Sequence, residues 1–109
     1  MRKKIHSYLG FAKRSGNLIT GYNTCSAAMK KGKVKLLILT ADSSENTLKK
    51  MVKESEKYKV PYRIYGESHE ISQITGCEGR GIFGIIDDNF SSIIENEIDE
   101  ARSQEEEVF

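Results

Sequence analysis

The chain has little of what most small catalytic or metal-binding proteins need. Two cysteines and two histidines are all that its 109 residues offer toward thiolate or imidazole chemistry. Cys25 and Cys77 form no C-x-x-C pair, and neither has a histidine at metal-ligand spacing, so the pattern of a zinc site is missing. Both are expected as reduced thiols, buried or half-buried. No apolar run approaches the ~20 residues of a membrane-spanning helix. The basic start, Met1-Arg2-Lys3-Lys4-Ile5-His6, leads into no secretory apolar region. The expected compartment is the cytoplasm, with no membrane partner. Proline occurs once, and no repeat or low-complexity linker interrupts the chain. A single domain with one core and a radius of gyration of roughly 13 Å follows from this length.

The most informative absence is of negative charge. The first carboxylate is Asp42, and nine Lys or Arg precede it. Met1 to Arg63 holds fifteen basic and four acidic side chains, a balance of +11. Ile64 to Phe109 holds two and twelve, a balance of −10, so the overall +1 conceals a charge dipole along the chain. Such asymmetry points to a polyanionic partner that net charge alone would hide.

Periodicity supplies the fold class. Ile5, Tyr8, Leu9 and Ala12 recur at helical spacing, and Ser15-Gly16-Asn17 stops that helix. Leu18-Ile19-Thr20 reads as a short strand, and Tyr22 to Lys31 as an Ala- and Lys-rich helix closed by Gly32. Val34 to Thr40 is apolar on both faces, which predicts a central strand covered on each side. Asp42-Ser43-Ser44-Glu45 offers caps for a helix that faces Leu48, Met51, Val52 and Tyr58 inward and Lys49, Lys50, Lys53, Glu54 and Lys57 outward. Val60-Pro61 ends it. Tyr62 to Tyr65 is a strand, Ser68 to Thr75 a helix, Gly76 its C′ residue, and Gly81 to Asp87 the last strand. A final helix repeats Phe90, Ile93, Ile94, Ile98 and Ala101. The expected architecture is α/β, a three-layer α/β/α sandwich around a mixed sheet of about four strands. Residues 1–103 form the domain and 104–109 an acidic tail.

No catalytic constellation emerges. His6 and His69 belong to no triad or metal motif. Asp87-Asp88 is better read as strand exit and helix initiation, because adjacent strand residues face opposite sides. Gly76-x-x-Gly79-x-Gly81 has the glycine density of a phosphate loop but precedes a strand, whereas a dinucleotide loop follows one. No catalytic residue, metal ligand or cofactor is expected. The stretch from Thr20 to Lys35 is different. Gly21 permits close backbone approach, Asn23 at a helix start can donate to and accept from a base edge, and the helix N-terminus favours phosphate. Lys30, Lys31, Lys33 and Lys35 add electrostatic attraction. Helix capping with solvated lysines accounts for the same residues equally well.

From about Tyr8 to Phe90 the sequence resembles the kink-turn RNA-binding ribosomal-protein family called L-seven-Ae, and especially its small bacterial YlxQ-type branch. The resemblance lies in several short motifs in fixed order: Leu9-Gly10-Phe11-Ala12-Lys13-Arg14-Ser15-Gly16, Gly21-x-Asn23, Gly32-Lys33-Val34-Lys35-Leu36, Asp42-Ser43-Ser44-Glu45-Asn46-Thr47-x-Lys49-Lys50, Val60-Pro61-Tyr62, and Ile71-x-x-Ile74-x-Gly76-x-x-x-Arg80. It implies an α/β/α sandwich of the ribosomal L-thirty-e type that binds structured RNA. The start of the second helix, Gly21, Tyr22, Asn23 and Thr24, would enter the groove at sheared G·A pairs, with Asn23 on a base edge. Lys30, Lys31 and Lys33 would contact phosphates, and the loop carrying Thr75, Cys77, Arg80 and Ile82 would pack against an extruded base. Thr24 and Ala27 stand where the archaeal pattern has Glu and Lys, and Gly79 and Gly81 flank Arg80.

The leading expectation is a non-catalytic, monomeric RNA-binding protein that recognises a kink-turn, with ribosomal RNA as a candidate target and ribosomal proteins as further partners. Two alternatives remain at this stage. One is an accessory domain of the kind attached to RNA methyltransferases, although 109 residues leave no room for a catalytic domain. The other is a ribosome-associated interaction module that uses its acidic end.

Overall fold

A computed structural model describes residues 2–77 and 81–107. Five helices alternate with four strands: α1 (Lys3–Arg14), β1 (Leu18–Thr20), α2 (Tyr22–Lys30), β2 (Leu36–Leu39), α3 (Glu45–Lys57), β3 (Tyr62–Ile64), α4 (Ser68–Thr75), β4 (Ile82–Ile85) and α5 (Asp88–Glu107). The strands form one mixed sheet in the order β1-β4-β2-β3. β4 runs antiparallel to both β1 and β2, and β3 runs parallel to β2. The Cα radius of gyration is 12.9 Å, the expected compactness.

The two-faced apolarity of β2 decides the layering. Leu36 and Ile38 join Phe83 and Ile85 of β4 beneath Ile5, Leu9 and Ala12 of α1, Ile71 of α4, and Ile94 and Ile98 of α5. Leu37 and Leu39 face the other way, toward Cys25 and Met29 of α2 and Met51 of α3. Each layer is therefore closed by alternate residues of the same strands, as the period of two requires. The predicted three-layer sandwich and four-stranded mixed sheet are what the structure shows. Gly84 marks the closest approach in the middle of β4. A Cβ there would stand 3.1 Å from Ile19 Cγ1 and 3.4 Å from Cys25 Sγ, so glycine lets α2 and β1 settle onto the sheet.

Helix ends follow local chemistry. α1 and α2 each close with a glycine in the left-handed region and a Schellman pair of amide bonds, Asn17 N–H to Ala12 O at 2.8 Å with Gly16 N–H to Lys13 O at 3.1 Å, and Lys33 N–H to Ala28 O at 2.9 Å with Gly32 N–H to Met29 O at 3.0 Å. α3 begins at Ser44, whose Oγ accepts the Thr47 amide at 3.1 Å. Asp42, within the same run of capping candidates, serves a different helix: its carboxylate accepts the backbone N–H and the hydroxyl of Ser68 at the start of α4, at 3.1 and 2.7 Å. Asp87 accepts the Phe90 amide and opens α5. That helix continues through residues 104–107, which the sequence pattern assigns to a tail, and Arg2 donates to the Gln104 side chain at 2.7 Å.

Candidate nucleic-acid interface

α2 differs from its neighbours at its first turn. α3 and α5 start on a hydroxyl or carboxylate cap, and Asp42 covers the first amide of α4. α2 starts at Gly21 with no side-chain cap and no acid in its first turn, so its leading N–H groups stay open to an external acceptor. α1 is likewise uncapped, but Arg2 stands at its start and is drawn to Glu97 and Glu100 of α5, at 3.4 and 3.7 Å.

Gly21 is what sets α2 at this place. Its φ of 101° with ψ of 152° belongs to glycine, and its buried backbone donates to Ile82 O at 3.0 Å. Thr20 Oγ1 donates to the same carbonyl at 2.9 Å. The start of α2 is thereby tied to the first residue of β4, where the α4–β4 loop ends. Two segments separated by about sixty residues in sequence, each predicted to face RNA, meet through one carbonyl.

Along α2 the side chains divide cleanly. Cys25 and Met29 are buried, and burial pushes the Cys25 thiol up to about 12, which leaves it inert. Tyr22, Asn23, Thr24, Ala27, Lys30 and Lys31 are exposed. Asn23, Ala27 and Lys30 share one stripe at the i, i+4, i+7 spacing, running from an open helix start to a basic end. Lys33 is exposed just beyond it. At ~1.5 Å per residue Lys30 lies roughly 10 Å along the axis from Asn23. Lys30 therefore belongs to the same face as Asn23 but not to the same pocket, while Lys31 and Lys33 lie at and beyond the helix end.

The loop residues are placed differently. Thr75 and Ile82 are 5% and 7% exposed. The Thr75 hydroxyl donates to Ile71 O at 2.8 Å, and Ile82 packs in the α2/α3 core, so both shape the loop's roots rather than its surface. Cys77 is half-buried against the α1/α4/α5 core, and its carbonyl accepts from Ser72 Oγ at 2.9 Å. Arg80 lies outside the described residues.

The sequence reading missed a polar cleft of about 280 Å3 beside this loop, lined by Thr40, Asp42, Ser43, Ser44, Thr47 and Ser68 with Gly81 and Ile82. The density of hydroxyls after β2 was its visible signal, absorbed there into helix capping. Gly81 closes one wall: a Cβ would stand 2.7 Å from both Ser43 Oγ and Thr40 Oγ1. Hydrogen bonds from Ser68 and Thr40 hold the Asp42 carboxyl below the usual carboxylate range, so this wall stays anionic at neutral pH. Among the described residues no group of three or more His, Cys, Asp or Glu side chains could hold a metal ion, and no helix is long and apolar enough to cross a membrane.

Comparison with known proteins supplies the family and the fold relatives. The family model described as ribosomal protein L7Ae/L30e/S12e/Gadd45 matches residues 3–95. An Enterococcus faecium protein named RNA-binding protein YlxQ is 38% identical over 91 residues, covering 83% of this chain and 86% of its own. The Bacillus subtilis protein of the same name is 30% identical over 84 residues, covering 77% and 84%. Among solved structures, a Bacillus halodurans protein of unknown function superposes with a TM-score of 0.86 at 31% identity, covering 90% of this chain and 99% of that one. A Giardia lamblia 15.5kD RNA binding protein shares the fold, with a TM-score of 0.72 at 13% identity over 94% and 92% of the two chains. On the near-complete family match and the two YlxQ relatives, the chain belongs to the ribosomal protein L7Ae/L30e/S12e/Gadd45 family.

Proposed function

We propose that this protein is a non-catalytic, cytoplasmic RNA-binding protein that recognises a kinked helix–bulge–helix in ribosomal or regulatory RNA. The observation that carries the reading is the junction at Ile82 O, which joins the uncapped, acid-free start of α2 to the end of the α4–β4 loop. The names of the two YlxQ relatives support RNA as the ligand. Asn23 reads a base edge in the opened groove, the first amides of α2 donate to a phosphate, and Lys30, Lys31 and Lys33 neutralise the strand that follows. The loop packs against an extruded base, with the neighbouring hydroxyl cleft available for its polar edge.

Binding is measured on a kink-turn RNA and on a control whose G·A pairs are replaced by Watson–Crick pairs. The kinked RNA is expected to bind more tightly, and Asn23→Ala to cost about 1–3 kcal/mol on it and little on the control. Equal affinity of the native protein for both RNAs contradicts the kink-turn reading. No binding to either at low salt contradicts RNA binding itself.

A further inference from the structure

We propose that the outer face of α3 is a second phosphate-binding surface, along which one stem of the bound RNA leaves the α2 site. The inference rests on the reading of α2 as the RNA-facing helix, and extends it to residues which that reading leaves unused. α2 follows β1 and α3 follows β2, and the ends of those strands, Thr20 and Leu39, flank the start of β4 through Phe83 and Ile82. Both helices therefore start at the Ile82 end of the sheet. They return along the same face, in contact through their shared core, and finish near Lys35 and Pro61 at the far end. Packed helices of this kind have axes ~8–10 Å apart. A duplex that enters at the start of α2 has two parallel helices beneath it.

The side chains of α3 suit that duplex. Asn46, Lys49, Lys50, Lys53 and Lys57 repeat at helical spacing as one exposed stripe, opposite the buried Met51 and Ser55. The acids that would neutralise the stripe are mostly withdrawn from it. Glu54 turns toward α2, where Oε1 accepts from Ser26 Oγ at 2.8 Å, and its Oε2 is buried without a hydrogen-bond partner. Glu45 is engaged with Lys49 at 3.2 Å. Lys50, Lys53 and Lys57 enter no ion pair among the described residues, and only Glu56 stands at the stripe's edge. The α5 face of the opposite layer suits this exit poorly. It presents Glu95, Glu97, Asp99 and Glu100, which face Arg63, Arg2 and Lys4 and repel phosphate. Charge complementarity thus assigns the α3 stripe to a polyanion, and its straight run of ~17 Å suits a duplex backbone better than a single contact.

The experiment compares native protein with Lys50→Gln/Lys53→Gln/Lys57→Gln on two kink-turn RNAs, one with both stems trimmed close to the bulge and one with a stem two helical turns long. All three positions are exposed, and circular dichroism verifies that the fold is kept. The variant is expected to lose roughly tenfold affinity for the long-stem RNA at low salt. Its log–log salt slope there should fall by roughly two to three, at 0.7–0.9 per lost phosphate contact, while the trimmed RNA binds as before. Unchanged binding of the long-stem RNA, or an equal loss on both RNAs, overturns the α3 surface. The control with Watson–Crick pairs separates this from failure of the α2 reading: loss of kink preference in native protein removes that reading, whichever result α3 gives.

Discussion

The two helical layers share one sheet and differ in almost everything that an approaching polyanion would sense. α2 and α3 present unpaired lysines and an uncapped helix start. α4 and α5 present carboxylates, and α1, although basic throughout, lies in their layer with Arg2 and Lys4 turned to Glu97 and Glu100. The difference teaches that the opposed halves of the sequence are not the opposed faces of the molecule. Five of the cations before Asp42 belong to α1 and its start, and part of that charge is spent inside the protein. The α2/α3 layer instead carries exposed lysines, Lys30, Lys31, Lys50, Lys53 and Lys57, that enter no ion pair among the described residues. On the proposed function, the acidic layer would orient the ligand by leaving the α2/α3 face as the one on which RNA gains electrostatic free energy.

Reversing the charge of the basic layer is the strongest way to break this contrast. Lys30→Glu/Lys31→Glu/Lys33→Glu should weaken RNA binding by about a hundredfold or more at low salt and lower the salt slope by roughly two to three. Neutralising the other layer with Glu95→Gln/Glu100→Gln should change affinity by no more than about twofold, because those charges lie across the sheet from the ligand and are screened. Fluorescence anisotropy over a salt series checks both. Comparable losses from the two sets would mean that the layers do not differ as ligand surfaces.

A smaller effect is expected from the joint that aims α2. Gly21→Ala forces a side chain into a glycine-only conformation and should cost about 1–3 kcal/mol of stability. At this size that lowers Tm by about 4 °C or more, with loss of RNA binding even in fully folded protein. A Tm unchanged by this substitution would show that the Gly21 conformation is not required.

Smallest is the effect of acid, which probes the anionic side. Asp42 is held below the usual carboxylate range by Ser68 and Thr40, and Asp99 by the Arg63 guanidinium, which donates to it at 2.8 and 3.1 Å. A carboxyl with a depressed folded pKa contributes stability above its unfolded value of about 4, and loses it as pH falls through the folded value. The urea midpoint should therefore be flat from neutrality down to about pH 5 and decline below that. Asp99→Asn should make the decline shallower; an identical acid limb in the variant contradicts the role given to the Arg63 pair.

Much of the layering was legible because β2 is apolar on both faces, and no other arrangement buries Leu36 to Leu39 completely. The helix over Ser68–Thr75 was likewise visible, since Ile71 and Ile74 lie between polar residues and Gly76 follows in the left-handed region. What stayed hidden depends on contacts between distant residues. Asp42 reads locally as a cap for α3, yet it serves α4, 26 residues away. Ser26 and Glu54 look like two solvated residues until α2 and α3 are packed together. At the candidate site the residue types around Gly21 and Asn23 were readable. The burial of Thr75 arises from the packing of α4, and the hydrogen bonds that bring Gly21 to Ile82 from strand pairing, and neither could be.

The proposed function places RNA on the α2/α3 layer, centred on the start of α2. Backbone amide spectra of labelled protein, recorded as kink-turn RNA is added, test it residue by residue. The largest changes should fall on Gly21 to Cys25, with Lys30 to Lys33 and the outer face of α3 following, while the amides of α5 hold their positions. Changes concentrated on α1 and α5, with the start of α2 unmoved, would contradict the account.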